Sequence, residues 1–326
     1  MVRCANQAPE ERHRRVSNTK AFRKFPNLPN HLGSECLTSR EIPGRTFAPL
    51  TFWVGFTEYP PMSDYDQRFG GLSRLLGAPG LERLRRAHVA VVGIGGVGSW
   101  AVEALARSGV GELTLVDLDD VCITNVNRQL HALDGEIGQP KVAAMVRRIA
   151  AINPECVVHS VPDFFTAATA DAILAPRFDF LLDAIDGSTL KCLLISQCRS
   201  RGIPILTVGA AGGRRDPSLV RVADLAHASH DRLLRETRVK LRAQHGFPRG
   251  EIPFGVTSVF SNELPVYPAR DGSVCAQREP DTEVTMDCNS GYGTASFVTG
   301  TFGLVAAGCV VRQLAAGVSS SPDPAK

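Results

Sequence analysis

The stretch HVAVVGIGGVGS, residues 88–99, decides the fold of this chain. It begins with a short valine-rich run, typical of a strand that is buried on both faces. Gly93, Gly95 and Gly98 then follow in G-x-G-x-x-G spacing, with Gly96 as an additional glycine. Between a strand and a helix, this spacing allows a tight turn and brings the helix N-terminus close to a phosphate group. We therefore predict a nucleotide-binding loop; a glycine-rich turn without a ligand is the simpler alternative.

Outward from this loop, strand and helix patterns alternate along the chain. The predicted strands are 88–93, 112–117, 156–161, 178–186 and 204–209, and the predicted helices are 99–109, 138–154 and 189–202. Such alternation is typical of an α/β fold with a Rossmann-like, doubly wound, mostly parallel sheet. After Gly213 the alternation weakens, and we expect a C-terminal extension there.

An acid stands at the end of the second predicted strand. Asp117 follows Gly98 by 19 residues, the position from which a carboxylate accepts the hydroxyls of an unmodified ribose. NAD and ATP both satisfy this requirement, because the glycine fingerprint does not specify hydride chemistry.

The residues beyond Asp117 favour ATP. The segment TNVNRQ brings Asn125, Arg128 and Gln129 shortly after the acid, and Lys141 follows in GQPK. Two cations that converge on one phosphate chain suit a reaction in which charge grows on the α-phosphate and on departing pyrophosphate. A dehydrogenase has no such need, although surface ion pairing would explain each charge singly.

Two further acids end the strand predicted at 178–186. Asp183 and Asp186, in LLDAIDGS, fall at the sheet edge where ligands of such folds bind. A carboxylate there could hold Mg²⁺ near the phosphates of the nucleotide.

The motifs GIGGVGS, LVDLDDV, TNVNRQ, GQPK and DAID occur in an order that resembles the ubiquitin-activating-like adenylating superfamily, over about residues 66–215. This superfamily includes the bacterial adenylyltransferases of thiamine and molybdopterin synthesis. The resemblance implies that Asp117 binds ribose, that Arg128 and Lys141 hold phosphates, and that Asp186 assists Mg²⁺. It also places Asp119 and Asn125 beside the phosphates. These residues, with Gln129 and the four loop glycines, are the predicted ATP site; Arg128, Lys141 and Asp186 are its catalytic candidates.

A narrower resemblance concerns the branch of that superfamily. The sulfur-carrier branch commonly has a zinc held by two C-x-x-C pairs, and this chain has neither pair, so no structural zinc is expected. Instead QRFGGLSRLLG, INPECVV, GAAGGRRDP and VYP...DGSVCA...MDCNSGYG resemble the tRNA threonylcarbamoyladenosine dehydratases, over about residues 62–315.

That resemblance implies a reaction and partners. ATP would activate the threonine carboxylate of the modified adenosine at tRNA position 37, and closure of a ring would then expel AMP. The implied partners are tRNA, a second copy of the chain in a homodimer, and a cysteine desulfurase or other sulfur-transfer protein. The chemistry requires no nucleophilic cysteine, so Cys275 and Cys288 are interpreted as structural or incidental thiols.

Local positive charge supplies candidates for tRNA contact, because a formal net charge of +3 is too small to indicate nucleic-acid binding. The segment 230–250 carries several arginines on one predicted helical face, and two more arginines end the loop 209–215. A solvated helix face is the alternative. The candidates are Arg214, Arg215, Arg235, Arg238 and Arg242.

These features divide the chain into four predicted segments. Residues 1–61 would be a disordered or non-native extension, with Met62 as a candidate start; 62–225 the adenylation domain; 226–315 a basic segment and C-terminal extension for substrate binding or dimerisation; and 316–326 a flexible tail. The apolar stretch 288–311 is long enough for a membrane span, but its glycines favour a buried or dimer-interface helix. Nine scattered cysteines and the lack of an evident signal peptide favour the cytoplasm.

Two other functions remain open from the sequence. One is adenylation of the C-terminal Gly-Gly of a ubiquitin-like sulfur carrier, which would use the same ATP site. The other is an NAD-dependent oxidoreductase, which would use the glycine loop and Asp117 but not Arg128 or Lys141.

Overall fold

The computed structural model describes residues 63–277 and 292–317. The predictions for residues 1–61, for Cys288 and for most of the tail therefore lie outside the described residues.

Nine strands and eight α-helices make up the described chain. The strands are β1 (His88–Val92), β2 (Glu112–Val116), β3 (Val157–Val161), β4 (Phe180–Asp183), β5 (Ile205–Val208), β6 (Val220–Asp224), β7 (Thr257–Ser261), β8 (Tyr267–Pro268) and β9 (Val274–Cys275). The helices are α1 (Asp64–Leu76), α2 (Ala78–Arg86), α3 (Gly98–Arg107), α4 (Lys141–Ile152), α5 (Ala170–Ile173), α6 (Ser188–Arg201), α7 (Arg232–Gln244) and α8 (Ser296–Ala316).

Seven strands form one sheet in the order β3-β2-β1-β4-β5-β7-β6. All neighbouring pairs are parallel except β6 and β7, which are antiparallel. The predicted Rossmann-like, mostly parallel α/β fold is confirmed. The strand order reverses direction between β1 and β4, and this switch point is where open sheets of this kind bind ligands.

Both faces of the sheet are covered, which explains why β1 after His88 and β4 before Asp183 are apolar. Alternate residues of β1 point to opposite faces. Val89 and Val91 pack into a core with α3, α4 and α8, whereas Ala90 and Val92 pack into a second core with α6 and α7. A strand that contributes to two cores has no polar alternation, and this is why the sequence shows a continuous apolar run.

Helix α8 is part of the first core. Its length and composition would allow it to cross a membrane, but 56% of its most apolar window is buried inside the protein. A Cβ at Gly303 would lie 2.6 Å from the Val97 carbonyl oxygen and 2.8 Å from the Trp100 Cβ. Gly303, and Gly300 beside Trp100, therefore allow close packing against α3, whereas Gly308 has open space.

The sheet extends beyond the strands predicted from sequence. β7 was not predicted, and it pairs with β5 on one side and with β6 on the other. The predicted boundary between residues 225 and 226 thus falls within one sheet. Strand β4 ends at Asp183, three residues before the predicted end at 186.

Helix α1 is joined to the sheet layer by a buried hydrogen bond. The Tyr65 hydroxyl donates to the Gly109 carbonyl oxygen at 2.5 Å, where α3 has just ended. We expect Tyr65→Phe to lower the free energy of unfolding by about 1–2 kcal/mol, because a buried carbonyl loses its partner. Urea unfolding measures this change. Tyr267→Phe, in the partly exposed β8–β9 hairpin, is the control, and an equal loss there would contradict the assignment.

Candidate active site

The glycine loop turns sharply between β1 and α3. Gly93 has φ +91°, and a Cβ there would lie 2.8 Å from the Ala184 carbonyl oxygen. A Cβ at Gly98 would collide with the Gly93 carbonyl oxygen. Among the described residues no side chain caps the start of α3. The first turn of α3 can therefore offer its backbone N–H groups and its positive dipole end to an anion.

Asp117 lies against this loop, immediately after β2. One carboxylate oxygen accepts a hydrogen bond from the Ile94 backbone N–H at 2.6 Å, and the other accepts from the Asp119 N–H at 2.9 Å. The side chain is largely buried. The sheet thus brings the predicted ribose acid and the glycine loop together, as the spacing predicts.

Lys141 also lies beside Asp117, although it is distant from it in the sequence. It is the first residue of α4, and its Nζ lies 2.7 Å from Asp119 Oδ2 and 3.8 Å from Asp117 Oδ1. Its backbone N–H also donates to the Asp119 carbonyl oxygen at 3.0 Å. A buried ammonium with two carboxylates beside the glycine loop is a charge cluster that an incoming phosphate chain could reorganise.

Arg128 approaches the loop from the other side. Its backbone carbonyl accepts hydrogen bonds from Trp100 Nε1 at 3.0 Å and from Thr299 Oγ1 at 3.1 Å. A Cβ at Gly96 would lie 3.6 Å from Arg128 Cγ, so the side chain starts next to the loop. The guanidinium donates to the Thr124 carbonyl oxygen at 2.7 Å.

Asn125 and Gln129 are buried beside Arg128. The Asn125 side chain accepts from the Cys122 N–H at 3.0 Å and so shapes the turn that presents Arg128. Gln129 Nε2 would be 3.9 Å from a Cβ at Gly95, and its Oε1 is buried without a hydrogen-bond partner among the described residues. An unpaired buried amide oxygen is costly, so Gln129 has a hydrogen-bond acceptor to offer to a donor group of a ligand.

His131 also lies beside the glycine loop, and the sequence analysis did not identify it. Its Nε2 lies 2.8 Å from the Ile94 carbonyl oxygen, and burial lowers the pKa of the imidazole. A neutral ring that donates from Nε2 would brace the glycine loop on the side opposite Asp117. In the sequence, only its position three residues after Arg128 could have indicated this role.

The two acids after the fourth strand have different environments. Asp183 is completely buried, 2.8 Å from Lys191 Nζ, and it accepts from the Ile185 N–H at 3.0 Å. The structure therefore removes Asp183 from the candidate magnesium ligands, because Lys191 neutralises it inside the core. Asp186 is exposed at the sheet edge that carries the glycine loop.

The arginines predicted to contact tRNA also differ in exposure. Arg215 and Arg235 are exposed. Arg214 is 4% exposed and donates to the His230 carbonyl oxygen, and burial lowers its pKa. The two others are partly buried and bind carbonyl oxygens: Arg238 that of Leu225, and Arg242 those of Pro248 and Gly250.

The cysteines of the described residues are free thiols. Burial raises the pKa of Cys192 to about 11 and that of Cys198 to about 12, so both stay protonated at neutral pH. Cys275 lies in the β8–β9 hairpin, where its Sγ is 3.6 Å from the Tyr267 carbonyl oxygen.

Comparison with known proteins gives consistent results. The ThiF family model matches residues 69–320. The chain is 46% identical over 252 residues to tRNA threonylcarbamoyladenosine dehydratase of Escherichia coli, an alignment that covers 77% of this chain and 94% of the relative. The crystal structure of the E. coli tRNA N6-threonylcarbamoyladenosine dehydratase in complex with ATP superposes with a TM-score of 0.70 at 42% identity, covering 78% of this chain and 97% of that one.

A more distant relative matches only part of the chain. Molybdopterin-synthase adenylyltransferase of E. coli is 36% identical over 132 residues, which is 40% of this chain and 52% of the relative.

Proposed function

The chain belongs to the ThiF family, and we propose that it is an ATP-dependent tRNA threonylcarbamoyladenosine dehydratase. The observation that carries the proposal is the extent of the similarity. Identity to the E. coli dehydratase runs through 94% of that protein, whereas identity to the molybdopterin-synthase adenylyltransferase covers 52% of its length. The adenylation core alone does not separate the branches, so the longer match is the discriminating one.

The proposed reaction has two steps. The threonine carboxylate of the modified adenosine attacks the α-phosphate of ATP, which forms an acyl-adenylate and releases pyrophosphate. The ureido nitrogen of the same group then attacks the activated carbonyl and expels AMP, which carries away the former carboxylate oxygen. The ring closes with the net loss of one water, and the intramolecular geometry accelerates this second step.

The proposed ATP site consists of the residues that surround the glycine loop. We assign ribose binding to Asp117 and phosphate binding to Lys141, Arg128 and the first turn of α3, because these groups flank one loop. Asp119, Asn125 and Gln129 would adjust around the nucleotide. Asp186 is the proposed ligand of an ATP-bound Mg²⁺, since it is an exposed carboxylate three residues after β4, the strand next to β1.

For tRNA, exposure favours Arg215 and Arg235 as direct phosphate contacts. Arg214, Arg238 and Arg242 bind carbonyl oxygens within the protein, which supports an indirect role in shaping the surface. Their assignment as tRNA contacts stays a prediction.

We also propose a second copy of the chain as a partner. Phe297 and Leu304 are 57% and 51% exposed, and they lie two turns apart on one face of helix α8, which supports a homodimer through this face. A sulfur-transfer protein is implied by family resemblance only. Residence in the cytoplasm is consistent with the free thiols and with a tRNA substrate.

The decisive experiment uses purified full-length protein, ATP, Mg²⁺ and tRNA that carries threonylcarbamoyladenosine. We expect release of AMP and pyrophosphate together with a nucleoside lighter by one water, detected by mass spectrometry. tRNA without the modification is the matched control and should give no AMP.

Two other outcomes would contradict the proposal. Pyrophosphate exchange that depends on a ubiquitin-like carrier ending in Gly-Gly, with no change in the tRNA, would favour the sulfur-carrier function. NAD that stays bound through purification would favour an oxidoreductase.

A further inference from the structure

Three potential metal ligands come together on the sheet, away from the ATP corner. His88 and Glu112 are the first residues of β1 and β2 and lie side by side in register. His159 lies in β3, opposite Thr114 of β2. Because residues i and i+2 of a strand point to the same face, His88, Glu112 and His159 project from one side of the sheet.

The ligand atoms are close enough to share one ion. One nitrogen or oxygen from each of the three residues lies within 4.8 Å of the other two. Glu112 Oε1 is 3.5 Å from His88 Nδ1 and 2.8 Å from His159 Nε2. Two ligands of a tetrahedral zinc, each about 2.0–2.1 Å from the metal, are about 3.3 Å apart. Only small side-chain movements would be needed.

The His88 ring is already oriented by other groups. Its Nε2 lies 2.8 Å from Thr114 Oγ1, and its ring packs edge-on against Phe178, with centroids 4.7 Å apart. When Nε2–H donates to Thr114, Nδ1 keeps its lone pair and faces the Glu112 carboxylate. A second hydrogen bond that fixes the tautomer and the ring is typical of metal-binding histidines.

The Glu112 carboxylate lies between the two imidazole rings. Its Oε1 is at hydrogen-bond distance from His159 Nε2, but its 3.5 Å separation from His88 Nδ1 is longer than an ordinary N–H···O bond. A cation held by all three side chains would interact favourably with the carboxylate and with both rings.

We propose that His88, Glu112 and His159 bind a divalent transition metal of the zinc class. Two imidazoles and one carboxylate form a donor set that zinc accepts, and three protein ligands leave the fourth position open. The three side chains line a cleft of about 580 Å³, together with Asp163, Thr169 and Arg177. The site lies at the start of β1, whereas the glycine loop follows the end of β1, so the metal would not contact ATP. It would instead link the strands β1, β2 and β3. This inference does not depend on the proposed function.

The experiment titrates Zn²⁺ into tag-free, full-length protein that has been stripped with a chelator, in competition with a chromophoric chelator. We expect the stripped protein to bind about one Zn²⁺ per chain tightly, and we expect its thermal stability to increase when this site is occupied. His159→Ala and Glu112→Gln should each weaken that site by about 100-fold or more. Thr114→Val, which removes only the partner of His88, should weaken it by about 10–100-fold.

His227→Ala is the matched control, because His227 forms an exposed pair with Glu251, at 3.8 Å, that is not part of the cluster. It should bind zinc as the wild type does. Circular dichroism and ATP binding would verify that each variant is folded, and the exposed position of His159 makes His159→Ala the safest of them. Equal zinc affinity of the wild type and His159→Ala, or an equal loss in His227→Ala, would overturn the proposal.

Discussion

Replacing Lys141 with alanine is expected to lower the kcat for AMP release by about 10²–10³-fold, the usual loss when one group that stabilises transition-state charge is removed. Lys141 Nζ is buried between Asp119 and Asp117 beside the glycine loop. Without it, two carboxylates would face the phosphate chain while negative charge develops on the α-phosphate. ATP binding should weaken as well, because repulsion acts on the ground state too.

Arg128→Ala tests the second cation in the same way. Its backbone carbonyl is held by Trp100 and Thr299, so the variant should keep the local fold while it loses the guanidinium. Single-turnover AMP release and calorimetric ATP binding would separate the effect on chemistry from the effect on affinity.

Arg147→Ala is the control for both variants. Arg147 lies on the same helix as Lys141, but it is exposed and pairs with Glu136. It should leave turnover unchanged. Wild-type turnover by Lys141→Ala and Arg128→Ala would contradict the phosphate-binding assignment, and failure of the wild type to bind ATP would contradict the whole proposal.

Much of this site could be predicted because its residues follow parallel strands. Asp117 lies 19 residues after Gly98, the nearest glycine of the loop. The fold still brings the two together, because neighbouring parallel strands end at the same edge of the sheet. Lys141 could be named from the sequence as a cation that follows the ribose acid, but nothing in its local sequence indicates that α4 starts beside Asp119.

Other parts could not be predicted for physical reasons. β7 has the sequence TSVFS, in which hydroxyl side chains dilute the apolar signal that marks a buried strand. The sequence does not distinguish Asp183 from Asp186. Which of the two carboxylates is buried depends on whether a lysine from elsewhere in the fold reaches it. The His88, Glu112 and His159 cluster has no local spacing, since strand register rather than sequence distance brings it together.

The Asp183–Lys191 pair gives the largest expected change in stability. Both side chains are 0% exposed, and Thr207 Oγ1 donates to Asp183 Oδ2 at 2.7 Å while it lies 3.1 Å from Lys191 Nζ. Lys191→Met should lower the free energy of unfolding by about 3–5 kcal/mol, because it leaves an uncompensated carboxylate in the core. Urea unfolding monitored by circular dichroism measures this loss.

Lys240→Met is the matched control. Lys240 is partly buried and donates to the hydroxyls of Ser188 and Thr189. Its replacement leaves no buried carboxylate uncompensated, because the nearby Glu236 keeps its ion pair with Arg232. Its loss should cost about 1 kcal/mol. An equal cost for the two lysines would show that Lys191 does not neutralise a buried charge.

The double variant Lys191→Met/Asp183→Leu separates the effect of the ion pair on the stability of the protein from its effect on the position of the segment that leads to Asp186. Replacing both members of a buried ion pair with apolar groups is often neutral, so we expect most of the lost stability to return. Asp183 also accepts from the Ile185 N–H, and the adjoining Ala184 carbonyl packs against Gly93. The pair therefore fixes the segment that leads to Asp186, and the stable double variant should still turn over more slowly than the wild type. Full activity in that variant would mean that the buried charges do not position the loop.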